Sequence, residues 1–198
     1  MSERIDIANI ALAMLGAEQI TSFEDDLIEA RQMQIHYDVA RDATLEAFEW
    51  TFATIRFIPA KETEPPLYGW GVQFPIPSNI LRVLRVERNL SEPIDPSRVK
   101  GHDEIDYSIE RGKILCDQDI IYCTGIERLN EEGRFSNLFV HAFAAKLAML
   151  CCYPITRSNE IFKAVAAMYA GSIEEAASRD GQQGRHERIR NKTLKRVR

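Results

Sequence analysis

Pro65-Pro66-Leu67-Tyr68-Gly69-Trp70-Gly71-Val72-Gln73-Phe74-Pro75-Ile76-Pro77 is the stretch on which the fold turns. With Pro59, Pro93 and Pro96 it places seven of the chain's eight prolines between positions 59 and 96. Proline locks φ and carries no N–H, so this block excludes helix and central strand, and helices belong on either side of it. The stretch itself reads as an aromatic loop whose prolines limit its conformational freedom.

Working outward toward the N-terminus, Ile5, Ala8, Leu12 and Leu15 recur at helical spacing and Gly16 supplies a stop. Thr21 with Glu24, or Ser22 with Asp25, has the spacing of a capping box. It introduces a long second helix with an inner face of Ala30, Met33, Tyr37, Ala40, Thr44 and Phe48 and an outer face of Arg31, Asp38, Arg41 and Asp42. The two helices are expected as an antiparallel pair. From Trp50 to about Glu127 the period changes to two. Phe52, Thr54, Arg56 and Ile58 form one predicted strand. Ile80 to Arg88 forms another, with Leu81, Val83 and Arg85 on one face and Arg82, Leu84 and Val86 on the other. Ile105 to Glu110 and Lys113 to Asp117 flank Arg111-Gly112, a two-residue hairpin connection, and Ile120 to Cys123 adds a strand.

Helical spacing returns after Ser136, a predicted N-cap, with Phe139, Phe143, Leu147 and Leu150 buried and an end near Pro154. A fourth helix starts near Ser158, buries Ile161, Val165, Met168 and Ile173, runs to about Arg179 and breaks at Asp180-Gly181-Gln182-Gln183-Gly184. With no strand–helix–strand alternation, the class is α+β. The expected architecture is a four-helix bundle from residues 1–49 and 135–180, an inserted antiparallel β module over 50–134 and a basic tail over 181–198.

At 198 residues, 45% hydrophobic and 28% charged, the chain has an ordinary globular composition, which excludes collagen-like and wholly disordered classes. Folding as one unit would hide roughly 70% of the surface of the unfolded chain, enough for a core without staples. No secretory leader is legible at Met1-Ser2-Glu3-Arg4-Ile5. The apolar run Val140 to Ile155 holds His141 and Lys146 and falls short of the about 20 residues of a membrane span, so a soluble intracellular product with no membrane partner is expected.

The chemistry-bearing residues give weak signals. No phosphate-loop, dinucleotide, zinc-protease or hydrolase-elbow motif occurs. Cys116, Cys123, Cys151 and Cys152 lack zinc-site spacing. The last two read as buried hydrophobes, the first two can face each other across a hairpin, and free thiols are expected. His102-Asp103-Glu104 with Asp106 groups a base with carboxylates, but a solvated turn is the simpler reading, as it is for Asp117 and Asp119. Asp25, Asp26 and Glu29 fit capping and the helix dipole. His36 and His141 read as surface or satisfied core histidines. Catalytic, metal and cofactor sites are all expected to be none.

The charge distribution says more. The net charge of −5 is the sum of unlike parts: the last fourteen residues hold Arg185, Arg188, Arg190, Lys192, Lys195, Arg196 and Arg198 against Glu187 alone, giving +6, which leaves −11 on the other 184. Extended, such a tail reaches at most about 46–50 Å. It can release counterions from a nucleic acid or dock on an acidic protein groove. The interspersed Ile189, Leu194 and Val197 favour the groove, and an acidic body disfavours a dedicated DNA binder.

Several segments together resemble the tail tubular protein A-like family, the head-to-tail adaptors of tailed, chiefly short-tailed, bacteriophages. They are Ile10 to Ala17, Ile20 to Asp25, Glu29-Ala30-Arg31, Tyr37-Asp38, Ala40-Arg41-Asp42, Leu45 and Trp50 to Ala53, then Pro65 to Trp70, Phe74 to Pro77, Leu81 to Val83, Gly112 to Asp117 and Phe139 to Met149. The resemblance spans about residues 5 to 184 and leaves out the tail. It implies a non-enzymatic virion protein, assembled in the host cytoplasm, that forms a homo-oligomeric ring, typically of twelve copies, between the portal protein and the tail nozzle protein. The helical bundle would face the portal and the β module the nozzle. An acidic lumen would pass DNA at ejection without binding it. Tyr68, Trp70 and Phe74 are then the expected anchors for a neighbouring subunit or the nozzle. Arg185, Arg188, Ile189, Arg190, Lys192, Leu194, Lys195, Arg196 and Arg198 are the expected portal-binding residues. The alternative is a nucleic-acid-binding packaging accessory that uses the same tail. A cell-wall hydrolase activity, sometimes attributed to phage tail proteins, finds no catalytic pair here.

Overall fold

The computed structural model describes residues 3–88 and 105–183; the expectations on His102 to Glu104 and on the tail from Gly184 lie outside the described residues. The chain is α+β, with four helices and two small three-stranded antiparallel sheets among the described residues. It divides into two compact units, one of residues up to 53 together with 128–183, the other of residues 54–127.

The first unit is built around α3 (Asn137–Thr156), against which α1 (Glu3–Leu15), α2 (Ile28–Glu46) and α4 (Asn159–Gln183) all pack. The expected antiparallel pairing of α1 with α2 is slight, because each spends its apolar face on α3 instead. A helix covered on several sides must be apolar nearly all round, and α3 buries Phe139, Ala142, Phe143, Ala144, Ala145, Leu147, Ala148, Cys151 and Cys152. It is also 20 residues long with a mean hydropathy of 1.7, long and apolar enough to cross a membrane, contrary to the expectation from its sequence. Half of that apolar window is buried inside the unit.

Local signals set most helix ends. At the end of α1 the Gly16 N–H donates to Ala13 O and the Ala17 N–H to Leu12 O, the double closure of a glycine-stopped helix. Ser136 caps α3 by accepting from the Phe139 N–H at 3.2 Å, and the Ser158 hydroxyl accepts from the Ile161 N–H at the start of α4. The capping-box residues do something else. The Asp25 carboxylate accepts from the N–H groups of Thr21 and Ser22 at 2.8 and 3.0 Å, closing a turn of its own, and α2 starts only after Leu27. Those bonds, that from Ser22 foremost, hold the Asp25 carboxyl below its usual range.

α3 ends at Thr156, two residues past Pro154 and close to the expected stop. There the Thr156 hydroxyl donates to Cys152 O, and Arg157, with φ of 52°, sends its N–H to Tyr153 O. Beyond Arg179, α4 continues to Gln183 because Asp180 is buried, accepting from the Thr51 N–H at 2.7 Å and the Thr51 hydroxyl at 2.9 Å. Along α4, Val165 is buried as expected but Met168 is exposed; Ala176 takes its place on the inner face.

An aromatic spine fills this unit. Tyr37 meets Phe23 and Phe143 edge-on, and Trp50, Phe52, Phe135, Phe139 and Phe143 form a connected series of ring contacts. Trp50 is fully buried, with its Nε1–H donating to Thr44 O at 2.9 Å. This packing draws Trp50 and the short 3-10 turn Thr51–Ala53 into the helical unit and moves the boundary past the expected residue 49.

In the second unit, β1 (Thr54–Phe57), β6 (Ile121–Glu127) and β3 (Ile80–Arg88) form one sheet in the order β1-β6-β3. The other is β2 (Val72–Pro75), β5 (Lys113–Cys116) and β4 (Ser108–Glu110), in the order β2-β5-β4. Phe74, Val86, Ile114, Cys116, Ile121 and Cys123 form their common core. Arg111 and Gly112, with φ of 50° and 73°, make the expected two-residue hairpin turn. β2 is a strand that the proline pattern hid: it is an outer strand and Pro75 is its last residue, where a missing N–H is tolerated.

The faces of β3 differ from strict alternation because the strand has irregularities between Ile80 and Arg82 and between Val83 and Arg85. The extra residue lets Val83 and Val86, three apart, both meet the core. Gly125 sits opposite, where a Cβ would stand 2.8 Å from Arg82 O, so only glycine fits.

Candidate functional site

The proline-rich loop that follows β1 is fastened along its length. Lys61 Nζ reaches Asp119 at 2.6 Å, and Lys113 Nζ reaches Glu62 at 2.6 Å. The Glu62 N–H donates to Gln73 O, the Gln73 Nε2 donates to Glu64 O at 2.8 Å, and the Gly71 N–H donates to Asp117 Oδ1 at 2.8 Å. Asp117 and Asp119, read from sequence as solvated turn residues, are the fastenings. The Lys61 ammonium, by hydrogen bond and charge, holds the Asp119 carboxyl below its usual range.

Between these ties the tip projects into solvent. Leu67 is 99% exposed and Tyr68 86%, while Trp70 is half-buried. Prolines at 65 and 66 and the ties at both flanks mean that little backbone freedom is left to lose when the tip meets a surface. Of the three expected anchors, Tyr68 is displayed and Trp70 partly so. Phe74 is not: at 1% exposed it lies in the core between the sheets, because its place in β2, opposite Ile114, turns its side chain inward. Leu67, which the sequence reading passed over, takes its place at the surface; its position beside Tyr68 in a proline-restricted loop was the available signal.

The other candidates are accounted for by structure. All four cysteines are free and buried. Cys116 and Cys123 lie on strands of different sheets and meet the same core, not the two arms of a hairpin. Burial, with Cys116 nearby, pushes the Cys123 thiol up to about 12, and burial pushes Cys151 up to about 12. His141 Nδ1 lies 3.0 Å from Ser172 Oγ on the exposed side of α3. Among the described residues no three His, Cys, Asp or Glu side chains are grouped to hold a metal ion.

Arg41, expected on the outer face of α2, is only 5% exposed. It binds Asp38 at 3.1 Å and Asp42 at 2.8 Å, and these carboxylates also receive Arg4 and Arg128. The Arg4 guanidinium lies 4.4 Å from the centre of the Tyr37 ring and 3.6 Å from Glu132, where the Tyr37 hydroxyl also donates at 3.4 Å. Burial first, and then the Glu132 charge, push the Tyr37 hydroxyl well above its ordinary range. Three arginines and three carboxylates thus balance one another within the helical unit, a network of structural type.

No family model matches the chain, and no curated protein does. The fastened tip of the β unit carries the two most exposed large apolar side chains among the described residues.

Proposed function

We propose that the chain is a structural rather than a catalytic protein: a head-to-tail adaptor of a phage virion, whose copies, twelve in this reading, form a ring that joins the portal to the tail nozzle and lines the DNA conduit. In this reading the four helices work as a bundle, the β unit is its insertion and the basic tail docks on the portal. The observation that carries it is the displayed Leu67–Tyr68 tip. It belongs to the Pro65 to Trp70 segment that resembles the adaptors, and it is held by ties that serve presentation, not burial. A ring needs two unlike surfaces that meet head to tail, and a stiff apolar projection supplies one.

The tail gives the test. Deleting residues 185–198 should abolish binding of the full ring to isolated portal particles at moderate salt, while electron microscopy of the intact chain with portal should show a closed ring. Undiminished portal affinity of the shortened chain removes the tail from this role. The +6 charge of the tail favours one second reading, a DNA-binding packaging accessory, in which affinity for DNA falls steeply as salt rises and portal has no effect.

A further inference from the structure

On the β1-β6-β3 sheet, residues paired directly across strands share a face. Phe57, Cys123 and Val86 form a row turned to the core. The next row, Arg56, Thr124 and Arg85, and the one containing Tyr122 and Glu87, therefore turn outward, with exposed Ile58 just past the end of β1. Beside these residues lies an open groove of about 470 Å³, whose lining takes in Arg56, Ile58, Glu87, Tyr122 and Thr124.

We propose that this groove is the seat for the Leu67–Tyr68 tip of a second copy of the chain. Each copy then offers one tip and one groove. The volume lies within the range of pockets that bury a sizeable ligand, about 300–1,000 Å³. Ile58 and the Tyr122 ring give Leu67 an apolar seat, and the Glu87 carboxylate can accept a hydrogen bond from the Tyr68 hydroxyl. Charge on balance favours the same docking: exposed Glu64 leads into the tip, while the outward face carries exposed Arg56 and Arg85 against Glu87. The tip's exposure in its own chain means that it does not fill its own groove. In the proposed contact one copy's tip seats in the next copy's groove while its own groove takes the tip of a third, so the contact runs head to tail from copy to copy. The inference rests on the ring reading for closure, but the contact itself is tested without a portal.

The four native thiols are buried, so introduced ones can be read selectively. The full chain carrying both Leu67→Cys and Ile58→Cys, treated with a short bismaleimide at micromolar concentration, should give a ladder of dimers, trimers and longer species on a denaturing gel. A mixture of the two single variants should stop at dimers, and each single variant alone should stay monomeric. Adding Tyr68→Glu to the double variant should cut the ladder about tenfold or more, the effect of losing a central aromatic anchor. The proposal is overturned by a double variant that stops at dimers, which marks a symmetric contact. It is equally overturned by crosslinking no stronger than that of Leu67→Cys paired with Ile109→Cys on the other sheet. Portal binding of the Tyr68→Glu chain separates the two readings: loss of the ladder with normal portal binding leaves the adaptor and removes the contact's necessity for it, whereas an intact chain that ladders but ignores portal removes the adaptor and keeps the contact.

Discussion

The aromatic spine of the helical unit and the proline-rich tip of the β unit treat their large apolar side chains in opposite ways. In the helical unit Tyr37, Trp50, Phe139 and Phe143 are wholly buried, joined by ring contacts, and even an arginine is drawn inside and balanced by Asp38 and Asp42. The β unit has a thin core around Phe74, Val86 and Ile114, yet uses charged and backbone ties to hold Leu67 and Tyr68 out in water. Burying an aliphatic or aromatic side chain contributes about 1.5–3 kcal/mol. The spine gains that within the chain, and the tip leaves it to be gained on contact.

This contrast can be broken by experiment. The largest effect is expected from Trp50→Ala, which removes a ring packed on Phe48, Phe52 and Phe139 together with its bond to Thr44 O. It should cost about 3–5 kcal/mol in denaturant unfolding. Helical circular dichroism should be lost earlier while β-unit amide signals persist; simultaneous loss of both would show one cooperative unit and end the comparison. Asp180→Ala leaves the Thr51 N–H and hydroxyl without their acceptor and should cost about 1–3 kcal/mol. Its mark is faster hydrogen exchange at Thr51 and in the last turn of α4, and unchanged exchange there would show that the carboxylate does not hold that turn. Smallest is the double substitution Leu67→Ser and Tyr68→Ser. It should move the unfolding midpoint by no more than about 0.5 kcal/mol, and a larger loss would mean that the tip serves its own fold.

What was legible in the sequence and what was not divides along the same physical line. Gly16, Ser136 and Arg111-Gly112 act within four residues of themselves, so their spacing alone announced a helix stop, a cap and a hairpin. The tip was legible in part: prolines and aromatics marked the loop, but alternation along a strand that proline disguised was needed to send Phe74 inward.

By itself, then, the sequence determined the α+β class, the buried face of α1, most of that of α2 and the turn chemistry, because these follow from backbone geometry and nearest neighbours. Only the tertiary structure decided that α3 is the common partner of the other three helices, that α4 continues through Asp180 to reach Thr51, 129 residues earlier, and that Arg41 goes inside. Each of those outcomes depends on a partner distant in the chain, and a residue's own propensity carries no information about who that partner is.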